Sequence, residues 1–320
     1  MKLVSYSSAG SMEDEKRESG EGKSATCLPI FILALALPLS MIMWLGNLAF
    51  SFFTAKEQAI NQDAETVIPP TRWLTATITP LAIAAWGLRK KSVDKSGAVL
   101  GLVIGFVLTL SSYCFFACLL TFFVTSSKAT KFRAHKKRKM EEHFKEGGQR
   151  NWIQVLCNGG MATQLALLYL LDAGCEERPI DFSQNYRSSW LGLGVLGTNG
   201  GVTIPGLIFS LLGGAVIGLA YYITVLYCVD STILAESPPQ WPLVLAGAFA
   251  GIVGSLVDSL LGATLQYSGV DERTGCIVEH AGRGIKHISG IQLLDNHSVN
   301  LISSVVMGLL TPRLAAAIWH

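Results

Sequence analysis

Half of the 320 residues are hydrophobic and 15% are charged, whereas about 25% of the residues in a typical soluble domain are charged. This composition excludes an ordinary soluble domain, and the net charge of +2 gives no reason to expect a nucleic-acid partner. The seven cysteines are scattered without a C-x-x-C pair, which argues against a disulfide framework or a zinc site. We therefore predict an all-α, multi-pass membrane helical bundle with roughly seven apolar segments.

Two apolar segments follow a polar N-terminal tail. Residues 1–26 mix acids and bases among Ser and Gly, which is typical of a disordered tail, so the polytopic membrane domain is expected to cover 27–320. Leu28–Phe53 is longer than the apolar core of a secretory signal and indicates a retained signal-anchor span. Trp73–Leu88 is the second span, and the Arg89-Lys90-Lys91 run behind it favours the cytosolic side.

The apolar stretch Gly97–Thr125 lies between two basic segments. The positive-inside rule puts Arg89–Ser96 and Ser126–Asn151 in the cytosol, so the stretch between them must cross the membrane an even number of times. As a single helix it would be about 43 Å long, well over a hydrocarbon core of about 30 Å. We expect a helical hairpin broken near Ser111-Ser112-Tyr113; one tilted helix is the alternative.

The next predicted helix, Trp152–Leu171, is only moderately apolar. Gln154 and Asn158 stand four residues apart on one face, so both amides should point into the bundle. They would form either an interhelical hydrogen bond or a contact with a ligand. The acidic segment Asp172–Ser189 that follows is expected to be lumenal.

A glycine-rich turn, Gly197-Thr198-Asn199-Gly200-Gly201-Val202-Thr203, runs directly into the apolar segment Ile204–Val229. Bare backbone N–H groups at a helix start attract anions, so this turn is a candidate phosphate site. The alternative is a tight turn that lets two helices approach closely. Trp190–Leu196, just before the turn, is too short to cross a bilayer as a helix and indicates half a span.

The two spans after the turn carry small residues and one acid. Ile204–Val229 and Trp241–Gln266 both contain the G-x-x-x-G spacing, which predicts close packing against partner helices. Asp258 lies in the second of them, and an acid inside an apolar helix is costly enough to indicate a functional site. A structural carboxylate, hydrogen-bonded to Ser255 and Ser259 near the membrane edge, is the alternative.

The polar loop Ser268–Asn296 leads into a last span that ends at Ile318. Its histidines, His280 and His287, and the His297 that follows lie seven and ten residues apart, which is no recognisable metal spacing. Asp295 or Asn296 can cap the last helix, because a short polar side chain there accepts hydrogen bonds from the first backbone N–H groups. Binding of a metal or a substrate by Asp295 is the alternative.

Five stretches of the chain carry specific motifs. They are Lys-Ser-x-Asp-x-Ser-Gly-Ala (Lys91–Ala98), Glu-Gly-Gly-Gln-Arg-Asn-Trp (Glu146–Trp152), Gly-Thr-Asn-Gly-Gly-Val-Thr (Gly197–Thr203), Val-Asp-Ser-x-x-Gly-Ala-Thr-x-Gln-Tyr (Val257–Tyr267) and Asp-Asn-x-x-Val-Asn (Asp295–Asn300). In this order they resemble a membrane family that includes transmembrane protein 19 and the plant and cyanobacterial phytyl-phosphate kinases. The resemblance covers nearly all of residues 27–320.

The resemblance implies a nucleotide-dependent lipid kinase that passes a phosphoryl group to an isoprenoid monophosphate, with Mg²⁺ and a nucleoside triphosphate such as CTP as cofactors. On this hypothesis Arg150 neutralises phosphate, while Asp258 and Asp295 are catalytic residues that hold the divalent cation. The cofactor-binding residues would be Gly197, Thr198, Asn199, Gly200, Gly201, Thr203 and Asn300. Membrane lipids and the isoprenoid phosphate are the expected partners, in a membrane of the endoplasmic reticulum type.

One part of the family pattern is absent from this chain. In the family, an apolar helix with an Asp-Thr-x-Ala-Ser-Glu motif lies between the tryptophan matched by Trp190 and the turn matched by Gly197–Thr203. Here only the short stretch Trp190–Leu196 stands in that place. If the missing acids bind metal or nucleotide, this chain would be inactive.

Two other functions remain open at this point. In a transporter or channel, Asp258 would relay protons or ions, and the glycine-rich turn would interrupt a helix at the site. In a non-catalytic structural membrane protein, the motifs would persist without activity.

Overall fold

The computed structural model describes residues 41–49 except 43 and 47, and residues 68–131, 149–197 and 204–319. The predicted disordered tail and most of the Leu28–Phe53 span lie outside these residues. The chain divides into two compact units, 1–81 and 82–320. In the first unit the indole N–H of Trp44 donates to the backbone oxygen of Ile68 at 3.0 Å. All other contacts given below lie within the second unit.

The described residues are mostly helical, which confirms the predicted class. The helices are α1 (Pro70–Arg89), α2 (Lys95–Ser111), α3 (Tyr113–Lys131), α4 (Trp152–Ala173), α5 (Tyr186–Gly197), α6 (Ile204–Cys228), α7 (Ser231–Glu236), α8 (Pro242–Leu265) and α9 (Asn296–Ile318). Three short strands, β1 (Ser268–Asp271), β2 (Ile277–Val278) and β3 (Ile285–Ser289), lie between α8 and α9.

Four of the described helices are long and apolar enough to cross a membrane. They comprise α4, α8, residues Leu207–Cys228 of α6 and residues Asn296–Ala317 of α9. Helix α2 and the segment Tyr113–Lys128 of α3 are apolar but shorter. The predicted number of seven apolar segments is therefore not established, because α1 is not among the four and the first predicted span lies largely outside the described residues.

The predicted hairpin is confirmed by a break at Ser112, between α2 and α3. Ser112 has an extended backbone (φ −161°, ψ 141°), which ends α2. Its hydroxyl oxygen accepts a hydrogen bond from the backbone N–H of Cys114 at 3.1 Å, so the same residue caps the start of α3. The two helices then run back alongside each other, and their far ends meet around Arg150.

Helices α6 and α8 pack through glycine, as the G-x-x-x-G spacing predicts. A Cβ atom built on Gly214 would overlap the backbone oxygen of Gly247, and one built on Gly251 would overlap that of Ser210. The pairing of 210 with 251 and of 214 with 247 makes the two helices antiparallel. Their backbones are in direct contact, which only glycine allows at these positions.

Helix α5 has 12 residues, about 18 Å, which is too short to cross a bilayer. Its side chains from Leu191 to Leu196 are nevertheless buried in the core of the bundle. Gly194 packs against the backbone of Gly308 in α9. The predicted half span is thus an interior helix that ends at Gly197.

The loop between α8 and α9 contains a sheet that the sequence did not predict. Its strand order is β2-β1-β3 and both pairings are antiparallel. The strands have four, two and five residues. Strands this short carry too few residues to establish an alternating pattern, so only the tertiary pairing reveals them.

Candidate functional site

Asp258 of α8 contacts the last helix of the bundle. It is half-buried, and its Oδ1 accepts a hydrogen bond from the Ser303 hydroxyl at 3.2 Å. That hydroxyl also lies 3.0 Å from the backbone oxygen of Asn300. The Ser255 hydroxyl on the same helix lies 3.3 Å from the Ser210 hydroxyl of α6. Asp258 therefore links two candidate membrane spans, α8 and α9.

Asp295 caps α9, as one of the two predicted roles requires. Its carboxylate accepts a hydrogen bond from the backbone N–H of Ser298 at 2.9 Å. Hydrogen bonds from Ser298 hold the pKa of this exposed carboxyl below its usual value, because they favour the charged form. The residue is therefore an anion at neutral pH, held at the first turn of α9 where the helix dipole also favours negative charge.

Helices α4 and α9 lie side by side and run in the same direction. The Ser304 hydroxyl is 3.3 Å from the backbone oxygen of Cys157, and Gly308 packs against Met161 one turn further along both helices. Both helices therefore begin on the same side of the bundle. Asn151 caps α4 there by accepting a hydrogen bond from the backbone N–H of Gln154 at 3.0 Å.

Two buried polar atoms lie near these helix starts without a hydrogen-bond partner among the described residues. They are Oε1 of Gln154 and Nδ1 of His297. Because Cys157 lies beside Ser304 and Met161 beside Gly308, Gln154 lies beside Leu301. Leu301 is four residues from His297, so Gln154 and His297 are about 6 Å apart along the helix axis. Unsatisfied buried polar groups are costly, so both atoms are candidates for contact with a ligand or an ordered water.

Arg150 stands at the same end of α4. Its backbone bridges to Val93, and its guanidinium donates to the Ser127 hydroxyl at 3.2 Å. Burial lowers its pKa, yet an arginine remains a cation at neutral pH. Within the described part of the chain Arg150 forms no ion pair with a carboxylate.

The structure brings some predicted site residues together and leaves others untested. Asp258 and Asn300 lie around the Ser303 hydroxyl. Ser303 follows Asp295 by eight residues of α9, about 12 Å along the axis. Gly197 is the last residue of α5. The remaining members of the predicted phosphate turn, Thr198, Asn199, Gly200, Gly201 and Thr203, lie outside the described residues.

Sequence reasoning missed Ser303 and His297. Ser303 is 45 residues from Asp258 and has no motif of its own. The spacing of His297 from the other histidines gave no sign of a metal site. It nevertheless falls on the same face of α9 as Ser304 and Gly308, which pack against α4. That helical spacing is the signal that could have indicated its position.

These features define a multi-pass helical membrane protein with a polar, partly acidic region at one end of the bundle. The comparison with protein families is specific: the family described as integral membrane protein DUF92 matches residues 78–196 and 195–308. The chain belongs to this family.

Two relatives match most of the chain. "Protein PGR" of Arabidopsis thaliana is 35% identical over 280 residues, which covers 76% of this chain and 96% of that protein. An uncharacterized membrane protein of Methanocaldococcus jannaschii is 24% identical over 263 residues, covering 74% of this chain and 92% of that protein. No solved structure matches.

The comparisons also bear on the absent family segment. The alignment with the plant relative has 280 positions but spans 76% of this 320-residue chain, about 243 residues, so about 37 positions have no counterpart here. The family match is split into two pieces that meet at 195–196. The position of the split agrees with the predicted gap between Trp190 and the glycine-rich turn.

Proposed function

We propose that this protein derives from membrane enzymes that transfer a phosphoryl group from a nucleoside triphosphate to an isoprenoid monophosphate. The observation that carries the proposal is the pairing of Asp258 with Ser303 between two candidate membrane spans. An intramembrane acid is a functional candidate by default. The resemblance to phytyl-phosphate kinases supplies the reaction class.

The residues around this pair suit a substrate whose phosphate lies at the membrane edge. Phosphoryl transfer needs positioned positive charge more than a covalent nucleophile. Arg150 supplies a cation without a carboxylate partner among the described residues. Gln154 and His297 supply buried polar atoms without described partners, available to hydrogen-bond the nucleotide or the substrate. The turn Gly197–Thr203 remains our candidate for phosphate binding, by its resemblance to the family.

Mg²⁺ needs more ligands than the described residues bring together. Asp258 accepts a hydrogen bond from Ser303, and Asp295 accepts one from Ser298, at different turns of α9. A single Mg²⁺ ion holds its ligands at about 2.1 Å, so the two carboxylates in these positions do not share one ion. Among the described residues no group of three His, Cys, Asp or Glu side chains could hold a metal. We propose that Asp258 joins acids of the absent segment, where the ion would neutralise the nucleotide phosphates.

This dependence on the absent segment favours a second candidate for the present chain. About 37 positions of the plant alignment have no counterpart here. Without acids from that segment, the chain would keep the substrate-binding surface but lack part of the metal site. A non-catalytic membrane protein is therefore the alternative for this form.

A radiolabelled nucleotide assay tests the proposal. Membranes with this chain are compared with membranes carrying a version in which the plant relative's segment is restored after residue 195, each supplied with an isoprenoid monophosphate and labelled CTP or ATP. We expect a labelled lipid diphosphate from the restored version and little from the short chain. Absence of label transfer by a correctly inserted restored version, with either nucleotide, would contradict the proposed function.

A further inference from the structure

The small sheet between α8 and α9 is attached directly to the end of a candidate membrane span. The backbone N–H of Ile291 donates to the backbone oxygen of Thr264 at 3.0 Å. Those of Leu293 and Leu294 both donate to the backbone oxygen of Leu265, at 3.2 and 2.9 Å. These bonds satisfy the last carbonyl groups of α8. The segment after β3 is therefore fixed to the C-terminal end of α8, a candidate membrane span.

Side chains near this attachment are apolar and exposed. Ile288, Ile291 and Leu293 are exposed to 56%, 58% and 65%. On α8 itself, Leu256 and Leu260 stand four residues apart on one face and are exposed to 51% and 66%. Because α8 is long and apolar enough to cross a membrane, that face is expected to contact lipid.

Charged side chains occupy the opposite end of the sheet. Ser268 pairs with Ser289 at the attached end, and Asp271 pairs with Ile285 about 10 Å further out. Glu272, Arg273 and Arg283 follow at this outer end and are exposed. In β1 and β3, and in the turns that join them at the outer end, the charged side chains thus lie farther from α8 than the three exposed apolar ones.

We propose that Ile288, Ile291 and Leu293 form an interfacial anchor that inserts into the lipid surface beside α8. The occupant is the bilayer itself, because the anchor is apolar, exposed and fixed to the last turn of a candidate membrane span. Amphipathic elements bind such interfaces by burying apolar side chains at the boundary between headgroups and acyl chains. The anchor holds the loop that ends at Asp295 close to the membrane, and it is independent of the proposed kinase function.

Spin labels test this placement in the full chain. Single cysteines are introduced at Ile288, Ile291, Leu293 and, as a control, Arg283, in a background whose native cysteines are replaced by alanine. The proteins are reconstituted in lipid nanodiscs. At the three anchor positions we expect accessibility to oxygen to exceed accessibility to a water-soluble nickel chelate several-fold, with the reverse at Arg283. Nickel accessibility equal to that at Arg283 would overturn the proposal, as would shielding from both reagents, which would indicate a second copy or another protein.

Limited trypsin digestion keeps the proposal testable if the cysteine-free background does not fold. In nanodiscs, the substitutions Ile291→Asp and Leu293→Asp together should increase cleavage after Lys286 several-fold by releasing the anchor. Gln292→Asp, between them, adds charge without removing an apolar side chain and should leave the cleavage rate near that of the unaltered chain. Equal cleavage rates for the double variant and the unaltered chain would contradict a lipid anchor.

Discussion

Gly97 and Arg150 are in backbone contact, so that a Cβ atom on Gly97 would overlap the backbone oxygen of Arg150. The same oxygen accepts a hydrogen bond from the backbone N–H of Asp94 at 3.0 Å. Asp94 in turn caps α2 by accepting from the N–H of Gly97 at 2.7 Å. The start of α2 thereby fixes the position of Arg150, which explains why a glycine is required at this point.

Replacing Gly97 with alanine should destabilise the protein. The clash is with backbone, which cannot rotate away, and overpacking of this kind typically costs about 1–3 kcal/mol. We expect a lower midpoint of thermal unfolding in detergent. Gly101→Ala, one turn later in α2, is the matched control, because a Cβ atom there meets nothing within 4 Å. Equal midpoints for the two variants would contradict the described packing.

The contact between α6 and α8 provides a second matched pair of variants. Gly214→Ala would force the two backbones apart, whereas Gly213→Ala places its methyl group in open space. We expect only the first to lower the unfolding midpoint, with a loss on the order of 1–3 kcal/mol. If Gly213→Ala were as destabilising as Gly214→Ala, helix propensity or lipid contact would matter more than the interface.

Both ends of the α2–α3 hairpin should lie on one side of the membrane. Arg150 contacts Gly97 at the start of α2 and Ser127 near the end of α3, and the positive charge of the flanking segments favours the cytosol. Glycosylation tags inserted in 89–96 or 126–151 should therefore remain unmodified, while the same tag in Asp172–Ser189 should be glycosylated. A modified tag in either basic segment would reject this topology.

The parts of the fold that the sequence predicts are those controlled by local chemistry or by the membrane. The break at Ser112 could be predicted because two cytosolic basic segments require an even number of membrane crossings in the apolar stretch between them. The cap at Asp295 could be located because a helix start needs a nearby acceptor. The first constraint acts on one long apolar stretch, and the second acts over a few residues.

The rest depends on contacts between distant residues. The pairing of Asp258 with Ser303 joins residues 45 apart, and nothing near Asp258 in sequence distinguishes Ser303 from Ser255 or Ser259 as its partner. Strands β1 and β3 likewise acquire their order from pairing, since each is too short to have a recognisable period. His297 needs the α4–α9 offset before its position becomes informative.

Asp295 allows its capping role to be separated from a catalytic one. Asp295→Ala should lower stability by about 1 kcal/mol, whereas Asp295→Asn should preserve it, because asparagine caps as well as aspartate. The lowered pKa of Asp295 in the folded chain means that its ionised form favours folding. That contribution is present above the unfolded pKa of about 4 and is lost as pH falls through the lowered value.

Thermal unfolding of the unaltered chain and the two Asp295 variants across this acidic range measures both effects. The stability of the Asn variant should depend less on pH over this range than that of the unaltered chain, because its amide does not titrate. If Asp295→Asn were as unstable as Asp295→Ala at neutral pH, the carboxylate charge rather than the capping hydrogen bond would stabilise the start of α9.

Asp258 and Ser303 together distinguish a functional charge from a structural hydrogen bond. Asp258→Asn keeps an oxygen that accepts from the Ser303 hydroxyl but removes the negative charge, whereas Ser303→Ala removes the donor and keeps the charge. In a chain with the absent segment restored, we expect Asp258→Asn to abolish phosphoryl transfer to an isoprenoid monophosphate, because a neutral amide is a poor ligand for Mg²⁺. Ser303→Ala should retain most of the activity, and both variants should be expressed and inserted normally. Full activity of Asp258→Asn would exclude a metal-binding role, and equal losses in both variants would indicate that the hydrogen bond, rather than the charge, is what the site requires.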